Sequence, residues 1–177
     1  AVNPTNVMGA TKRLAEIYVS WMASRPEIAT RMSMVRFGNV LGSACSVLTI
    51  WSSQLAEGGP ITVTDERMTR YFMTIHEAAT LVLQSATLDA AGAAAQSKRA
   101  GMYVLDMGEP ISIVELAQRF AIAHGLSPRM PGQDKADGPG IEIALTGARP
   151  GEKIHEELAY ATEFLRPTAH PGIRAWA

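Results

Sequence analysis

The chain has 177 residues, of which 47% are hydrophobic and 19% are charged, and 16 basic residues against 17 acidic residues give a net charge of −1. These values are typical of a globular protein, and they exclude a disordered or fibrous chain and a broad positive field that would attract nucleic acid or anionic lipid. The single cysteine, Cys45, excludes an internal disulfide and favours a reducing compartment. No apolar run reaches the roughly 18–20 residues of a membrane span and no signal-peptide pattern occurs, so we expect this chain to be cytoplasmic, without membrane contact.

The first predicted element is a helix that begins after Pro4, with Thr5 or Asn6 as its cap. Met8 and Lys12 lie one turn apart on it and point the same way. Because apolar positions occur on two faces of this helix, we expect it to be covered on both sides, with Lys12 in the covered part. A lysine whose stem packs on apolar surface and whose ammonium group reaches water is the non-functional alternative.

The rest of the chain alternates strand and helix patterns, which is typical of an α/β protein. Strands are predicted at 32–37, 61–64, 102–107 and 141–145, helices at 47–56, 76–88, 112–124 and 154–160, and loops at 89–101 and 127–140. Ser112, followed by Glu115 three residues later, predicts a capping box. Ligands of such folds collect at the carboxyl ends of strands, where Asn39 falls.

Several classes of site have no support in the sequence. It contains no Gly-x-Gly-x-x-Gly segment after a strand and no phosphate-loop lysine. The four histidines lack metal-ligand spacing, so no metal site is predicted. Ser43 and Cys45 have no adjacent histidine, so nucleophilic catalysis is not supported.

Polar residues at the ends of loops are the remaining candidates for a site: Asn39, Arg70, Arg149 and Glu152. Arginine guanidinium groups bind diphosphates as bidentate donors, although a loop arginine is more often a solvated charge. Arg70 is the stronger of the two, because the apolar run 71–75 beside it implies a partly buried position.

Six segments in a fixed order carry a resemblance to a known family. They are residues 3–12, 36–43, 58–64, 68–75, 103–110 and 149–153. Together they resemble the bacterial UDP-N-acetylglucosamine 4,6-dehydratases of the CapD-like polysaccharide-biosynthesis group, within the extended short-chain dehydrogenase/reductases. The resemblance covers nearly the whole chain except the loops 89–101 and 127–140.

The resemblance implies the C-terminal part of a Rossmann-type extended short-chain dehydrogenase/reductase with its smaller substrate-binding subdomain. Members of the family carry an N-terminal half with a glycine-rich NAD loop, and this sequence lacks that loop. Residues 1–177 are therefore expected to form a single partial domain, inactive by itself. Relatives are often tethered by N-terminal membrane helices, which leaves open an inner-membrane anchor in the parent protein.

The resemblance also assigns the catalytic positions Lys12 and Met8. Lys12 matches the lysine of the superfamily's Tyr-x-x-x-Lys pair, which holds the nicotinamide ribose of NAD or NADP. Met8 stands where most of the superfamily has tyrosine, and its thioether has no ionisable proton to exchange as a general base. Methionine is a known variant of the CapD-like subgroup, in which an upstream aspartate and lysine are implicated in proton transfer. Met8 thus favours the dehydratases over the tyrosine-bearing epimerases.

A UDP-sugar is the partner that the resemblance implies, in a protein expected to be a homo-oligomer. Residues that match the family's UDP-sugar contacts are Asn39, Arg70, Arg149 and Glu152, with Pro60, Ile61 and Thr62 near the uracil. Cys45 stands where relatives often have glycine.

The implied reaction is an internal redox cycle that converts UDP-N-acetylglucosamine to a 4-keto-6-deoxy sugar nucleotide. Three alternatives stay open at this point. The chain is a UDP-sugar-binding module without catalysis, or part of an NAD-dependent nucleotide-sugar epimerase, or a structural fragment whose exposed strand 32–37 drives association.

Overall fold

The structure, a computed structural model, describes residues 2–44, 46–91, 100–133 and 138–176. Cys45 and parts of the predicted loops 89–101 and 127–140 lie outside the described residues. The chain divides into two compact units. Unit 1 comprises Ala1–Gly38, His76–Gly108 and Glu157–Ala177, and unit 2 comprises Asn39–Ile75 and Glu109–Glu156.

In the described chain, groups of two or three strands separate successive helices, and four strands follow the last helix. In order they are α1 (Val7–Ala23), β1 (Ser33–Arg36), β2 (Asn39–Leu41), α2 (Val47–Ala56), β3 (Ile61–Val63), β4 (Thr69–Arg70), β5 (Phe72–Thr74), α3 (Ile75–Ala91), β6 (Gly101–Leu105), β7 (Ile111–Ser112), α4 (Ile113–Ala123), β8 (Ser127–Arg129), β9 (Gly140–Leu145), β10 (Leu165–Pro167) and β11 (Ile173–Trp176).

Unit 1 is built on a four-stranded sheet of order β1-β6-β11-β10. β1 and β6 are parallel, with Ser33 opposite Gly101, whereas β11 is antiparallel to both β6 and β10. The buried centre of this sheet is the apolar stretch 102–105 of β6 together with Ile173 of β11. A continuous apolar run of this kind is expected of a strand covered on both faces.

Unit 2 contains a three-stranded parallel sheet of order β3-β9-β8 and two short strand pairs, β2 with β5 and β4 with β7. Its core joins this sheet to α2 and α4. The buried members are Trp51, Ile61, Val63, Met68, Ile113, Ala117, Ala121, Ile141 and Ile143. The strand β9 alternates buried and less buried residues, as its sequence predicts.

The helix starts follow the predicted capping residues. The Asn6 side chain accepts a hydrogen bond from the Gly9 amide (2.8 Å), and the Ser112 hydroxyl accepts one from the Glu115 amide (3.4 Å). The predicted helix 47–56 is confirmed as α2, and the predicted strand 32–37 contains β1.

The predicted helix 154–160 is wrong, since the structure has no helix in that segment. The Arg70 guanidinium donates hydrogen bonds to the carbonyl oxygens of Lys153 and Ile154, and the Thr69 amide also donates to the Ile154 carbonyl. In a helix those carbonyls would accept from amides four residues later, so these contacts replace the helical ones. Residues 127–129, predicted as loop, form the edge strand β8, where a central Pro128 is tolerated.

The prediction that α1 is covered on two sides is also wrong. None of its residues is buried, and both Lys12 and Met8 are exposed, Met8 by 65%. An apolar helix face indicates that packing against another apolar surface would be favourable, but the pattern does not identify the segment that packs there. No helix within the described parts of the chain combines the length and apolar character that a bilayer span requires.

Candidate functional site

The predicted site residues divide cleanly between the two units. Every predicted substrate-binding residue belongs to unit 2, at the start of β2, within or just before β3, in β4, or in the loop after β9. Met8 and Lys12 belong to unit 1, on the first turns of α1. The nucleotide-sugar part of the predicted site can therefore be described within a single compact unit.

Asn39 begins β2 and is held there by its backbone. Its amide donates to the Tyr71 carbonyl (2.8 Å), and β2 runs parallel to β5 with Asn39 opposite Phe72. Its side chain is exposed and has no hydrogen-bond partner among the described residues. The carboxamide of Asn39 thus has a donor and an acceptor available for a ligand.

A cavity of about 220 Å³ opens beside Asn39. Its lining is Asn39, Val40, Leu41, Ser43, Ser46, Val47, Leu48 and Phe72. Three of these residues, Ser46, Val47 and Leu48, form the start of α2. The side chain of the cap residue Ser46 makes no hydrogen bond to the helix amides. Within the described chain the Val47 and Leu48 amides have no acceptor, so the positive end of α2 lies at the cavity.

The predicted uracil-contacting segment is held against α2. The Ile61 side chain is fully buried and Ile61 pairs with Ile143 of β9, whereas Pro60 is exposed. Thr62 donates its amide to Gln54 Oε1 (2.9 Å) and accepts from Gln54 Nε2 at its hydroxyl (2.7 Å). Trp51 Nε1 donates to the Thr62 carbonyl (2.8 Å). Gln54 was not among the predicted site residues, although its spacing of three from Trp51 on one helix face indicates that the two side chains lie on the same side of α2.

Arg70 is half-buried and makes a dense set of contacts inside unit 2. Its Nη1 donates to the carbonyls of Thr69 (2.7 Å) and Ile154 (2.9 Å), and its Nη2 donates to that of Lys153 (2.7 Å). Its Nε lies 3.7 Å from a carboxylate oxygen of Glu156. Three of the five guanidinium N–H donors thus make hydrogen bonds, and one Nη2 hydrogen and the Nε hydrogen beside Glu156 remain. Arg70 therefore fixes the segment 153–156 and has little donor capacity left.

Arg149 and Glu152 are brought together by one tight turn. The Glu152 amide donates to the Arg149 carbonyl (3.0 Å), with Pro150 and Gly151 (φ 81°) at the two central positions, as in a type II turn. The Glu152 carboxylate accepts from the Arg149 amide (3.1 Å). The Arg149 guanidinium is exposed and has no partner among the residues that the structure describes.

Lys12 presents an exposed ammonium group on α1 that also has no partner in the described chain. An unpaired ammonium can donate to the hydroxyl groups of a sugar. Among the described residues no group of three or more His, Cys, Asp or Glu side chains is placed to hold a metal ion.

Comparison with known proteins shows the family. A model of the polysaccharide biosynthesis protein family matches residues 1–176. The chain belongs to this family. CapD, the capsular polysaccharide biosynthesis protein of Staphylococcus aureus, is 47% identical over 164 residues, and EpsC, a probable polysaccharide biosynthesis protein of Bacillus subtilis, is 46% identical over 173 residues. The resemblance predicted from the six segments is thereby confirmed.

The chain is shorter than these family members. The match covers 93% of the chain but 24% of CapD, and 98% of the chain but 26% of EpsC. A more distant relative, the UDP-N-acetylglucosamine 4,6-dehydratase (inverting) of Campylobacter jejuni, is 28% identical over 88% of the chain and 40% of that protein.

Solved structures confirm the predicted fold class, an α/β chain of the Rossmann-type extended short-chain dehydrogenase/reductase kind. Pen from Bacillus thuringiensis superposes with a TM-score of 0.76 at 28% identity, over 98% of this chain and 48% of Pen. MoeE5, solved in complex with UDP-glucuronic acid and NAD, has a TM-score of 0.60 at 21% identity, over 86% of this chain and 46% of MoeE5. The second likeness concerns the fold alone.

Proposed function

We propose that this chain supplies the UDP-sugar site of a nucleotide-sugar 4,6-dehydratase in bacterial polysaccharide biosynthesis, and that the isolated chain binds UDP-sugars without converting them. One observation carries the proposal. The predicted substrate-binding residues, from four distant parts of the sequence, belong to one compact unit. Two of them, Asn39 and Arg149, have polar side-chain groups without partners in the described chain.

The role proposed for each residue follows from its chemistry. Asn39 and the N-terminal amides of α2 donate to the diphosphate, because unpaired N–H groups at a helix start favour anions. Arg149 adds a charge-assisted bond, and Glu152 holds the turn that carries Arg149. Arg70 keeps the segment 153–156 in place and adds at most its remaining Nη2 and Nε hydrogens. Pro60 and the backbone of Ile61 lie against the uracil.

The chain contributes one residue to the nicotinamide cofactor, NAD or NADP. Lys12 fits that role because its ammonium group is exposed and unpaired among the described residues, and it would donate to the hydroxyl groups of the ribose. When bound, the cofactor would supply reversible hydride transfer at C4 and C6 of the hexose, and Lys12 would help to hold it. The sequence has no glycine-rich dinucleotide loop, so we propose that the rest of the cofactor site lies in another part of the parent protein.

Met8 favours the dehydratase over the epimerase alternative. Its exposed thioether has no proton to exchange, so Met8 is not a general base at this position. The proton transfers of the reaction would then come from residues outside this chain. Assembly into a homo-oligomer and a membrane anchor in the parent protein stay predictions from the family resemblance.

Titration calorimetry with UDP and UDP-N-acetylglucosamine tests the proposal. The chain is expected to bind both, and Arg149→Ala is expected to weaken both by roughly ten- to a hundredfold, the effect of one lost charge-assisted bond. Absence of binding would contradict the proposal. A parallel incubation with UDP-N-acetylglucosamine and NAD⁺ is expected to give no keto-sugar, and a keto-sugar product would show that the isolated chain is itself a dehydratase.

A further inference from the structure

Met8 is the most exposed of the nine methionines of the chain. All nine lie in described residues, and Met8, on the first turn of α1, is 65% exposed. The others are half-buried or buried: Met22, Met32, Met34, Met68, Met73, Met102, Met107 and Met130. A peroxide oxidises a thioether only when it reaches the sulfur, so Met8 is the methionine that is expected to react first.

The neighbours of Lys12 on α1 leave Met8 as the one position that can gain an acceptor for its ammonium group. Side chains three and four positions apart are neighbours on a helix surface. For Lys12 these neighbours are Met8, Gly9, Ala15 and Glu16. The glycine and the alanine have no polar side chain. The Glu16 carboxylate is already held by Arg36 (2.7 and 3.1 Å) and by Arg13 (2.7 Å). The Lys12 ammonium group is exposed and has no partner among the described residues.

We propose that Met8 is a site of reversible oxidation and that its sulfoxide oxygen binds the ammonium group of Lys12. A peroxide transfers one oxygen atom to the sulfur: the O–O bond breaks, an S–O bond forms, the sulfur loses two electrons, and the peroxide is reduced to water or an alcohol. The product is polar and has an acceptor oxygen that the thioether lacks, and sulfoxide reductases restore the thioether. Because Met8 lies four residues before Lys12, the acceptor and the cation have the favourable order of a helical pair.

The consequence for the cofactor rests on the proposed function. An ammonium group that donates to the sulfoxide oxygen has one donor fewer for the hydroxyl groups of the ribose, and it is drawn toward the start of α1. Oxidation of Met8 is therefore expected to weaken the contact that Lys12 makes with the nicotinamide ribose.

Peptide mass spectrometry after brief exposure of the full chain to hydrogen peroxide tests the oxidation site. Met8 is expected to form the sulfoxide about tenfold faster than Met22, a half-buried methionine of the same helix that reacts only when the structure opens locally. Equal rates for the two methionines would overturn the assignment.

Acylation of the lysines by an amine-reactive ester tests the contact with Lys12. Sulfoxide formation is expected to slow the acylation of Lys12 about twofold, the effect of one exposed helical pair, and sulfoxide reductase is expected to restore the rate. Lys153, in unit 2, is the internal reference and is expected to react at an unchanged rate. Local unfolding of α1 would not slow the reaction, because Lys12 is already exposed.

Three variants isolate the role of Met8. Met8→Leu cannot be oxidised, so the response of Lys12 to peroxide is expected to disappear, whereas Met22→Leu is the matched control on the same helix and is expected to keep it. Met8→Gln places a carboxamide oxygen as many bonds from the backbone as the sulfoxide oxygen, so it is expected to slow the acylation of Lys12 without peroxide.

Two outcomes distinguish this inference from the proposed function. If Met8 is oxidised and the acylation of Lys12 relative to Lys153 does not change, the contact between Met8 and Lys12 is wrong. If the acylation slows as expected but the parent protein binds NAD equally well before and after oxidation, the contact stands and the cofactor role proposed for Lys12 is wrong.

Discussion

The guanidinium of Arg36 holds the carboxylate of Glu16 through two hydrogen bonds, from Nε to Oε1 (2.7 Å) and from Nη2 to Oε2 (3.1 Å). Glu16 is on α1 and Arg36 is the last residue of β1. The pair attaches α1, which has no buried residue, to the end of β1 in unit 1. It lies one turn after Lys12, so it also fixes the rotation of the helix that carries Lys12.

A second carboxylate completes the network around Arg36. Glu163 accepts from Nη1 (2.7 Å) and Nη2 (3.2 Å), and the Tyr160 ring centroid lies 5.6 Å from the guanidinium carbon. Arg36 is only 7% exposed. Three separate segments of the chain therefore meet at one buried, fully hydrogen-bonded cation.

Replacement of Arg36 by Met is predicted to destabilise unit 1 by about 3–5 kcal/mol, because two carboxylates would stay buried without their cation. Urea unfolding followed by circular dichroism measures this change. Arg25→Met is the control, since the Arg25–Glu27 pair is exposed and exposed pairs contribute roughly 0–1 kcal/mol. Similar losses of unfolding free energy in the two variants would show that the buried network stabilises unit 1 no more than the exposed pair does.

Acid is predicted to weaken the attachment of α1 through Glu16. Burial alone would raise the pKa of Glu16, but hydrogen bonds from Arg36 and Arg13 outweigh it and lower the pKa from 4.5 to about 2. A carboxylate with a lowered pKa contributes stability above its unfolded value, and that contribution is lost as the pH falls from 4.5 toward about 2. The stability difference between wild type and Glu16→Gln is therefore expected to be constant above pH 4.5 and to shrink below it. A difference independent of pH would contradict this.

Local patterns predicted much of the fold. The capping residues Asn6 and Ser112 and the alternation of β9 are encoded in a few neighbouring residues, and the structure confirms them. The segment 154–160 has an equally good helical pattern, yet it is not helical. The carbonyl of Ile154 accepts a hydrogen bond from Arg70, more than eighty positions away in the sequence. Sequence periodicity contains no information about such a distant partner.

The candidate site shows the same limit. Residue types identified Asn39 and Arg149 as polar positions near strand ends, where a ligand is expected. The internal contacts of Arg70 and Thr62 were not predictable, because an arginine or threonine that binds backbone looks the same in sequence as one that binds a ligand. The resemblance to a family implied roles for these positions. The contacts of the structure show which of the side chains have partners among the described residues and which have none there.

Neighbouring glycines in the turn before β3 are predicted to respond differently to alanine. Gly58 (φ +91°) and Gly59 (φ +84°) both have a backbone conformation that alanine adopts only with strain. A Cβ on Gly59 would also lie 2.9 Å from two carbons of the Ile141 side chain, whereas one on Gly58 meets nothing within 4 Å. Gly58→Ala is expected to lower the unfolding free energy of unit 2 by about 1–3 kcal/mol, and Gly59→Ala by a further 1–3 kcal/mol from overpacking.

Thermal melts of the two glycine variants measure this difference. Ile141→Val in the Gly59→Ala background removes a methyl group beside the added Cβ and is expected to recover part of the additional loss. Equal melting temperatures for Gly58→Ala and Gly59→Ala would show that the contact with Ile141 is relieved at no cost.

Substitutions of the two arginines of the candidate site are predicted to differ: one lowers both stability and UDP binding, and the other lowers UDP binding only. Arg70→Lys replaces a planar group that donates to three carbonyls with a single ammonium, so it is expected to release the segment 153–156 and to lower both the melting temperature and the affinity for UDP. Arg149→Ala removes an exposed guanidinium without a described partner, so it is expected to weaken UDP binding and to leave the melting temperature unchanged. Calorimetry and thermal melts on both variants provide the comparison. If Arg70→Lys lost affinity at an unchanged melting temperature, Arg70 would be a direct diphosphate ligand, and its carbonyl contacts would have to give way when the ligand binds.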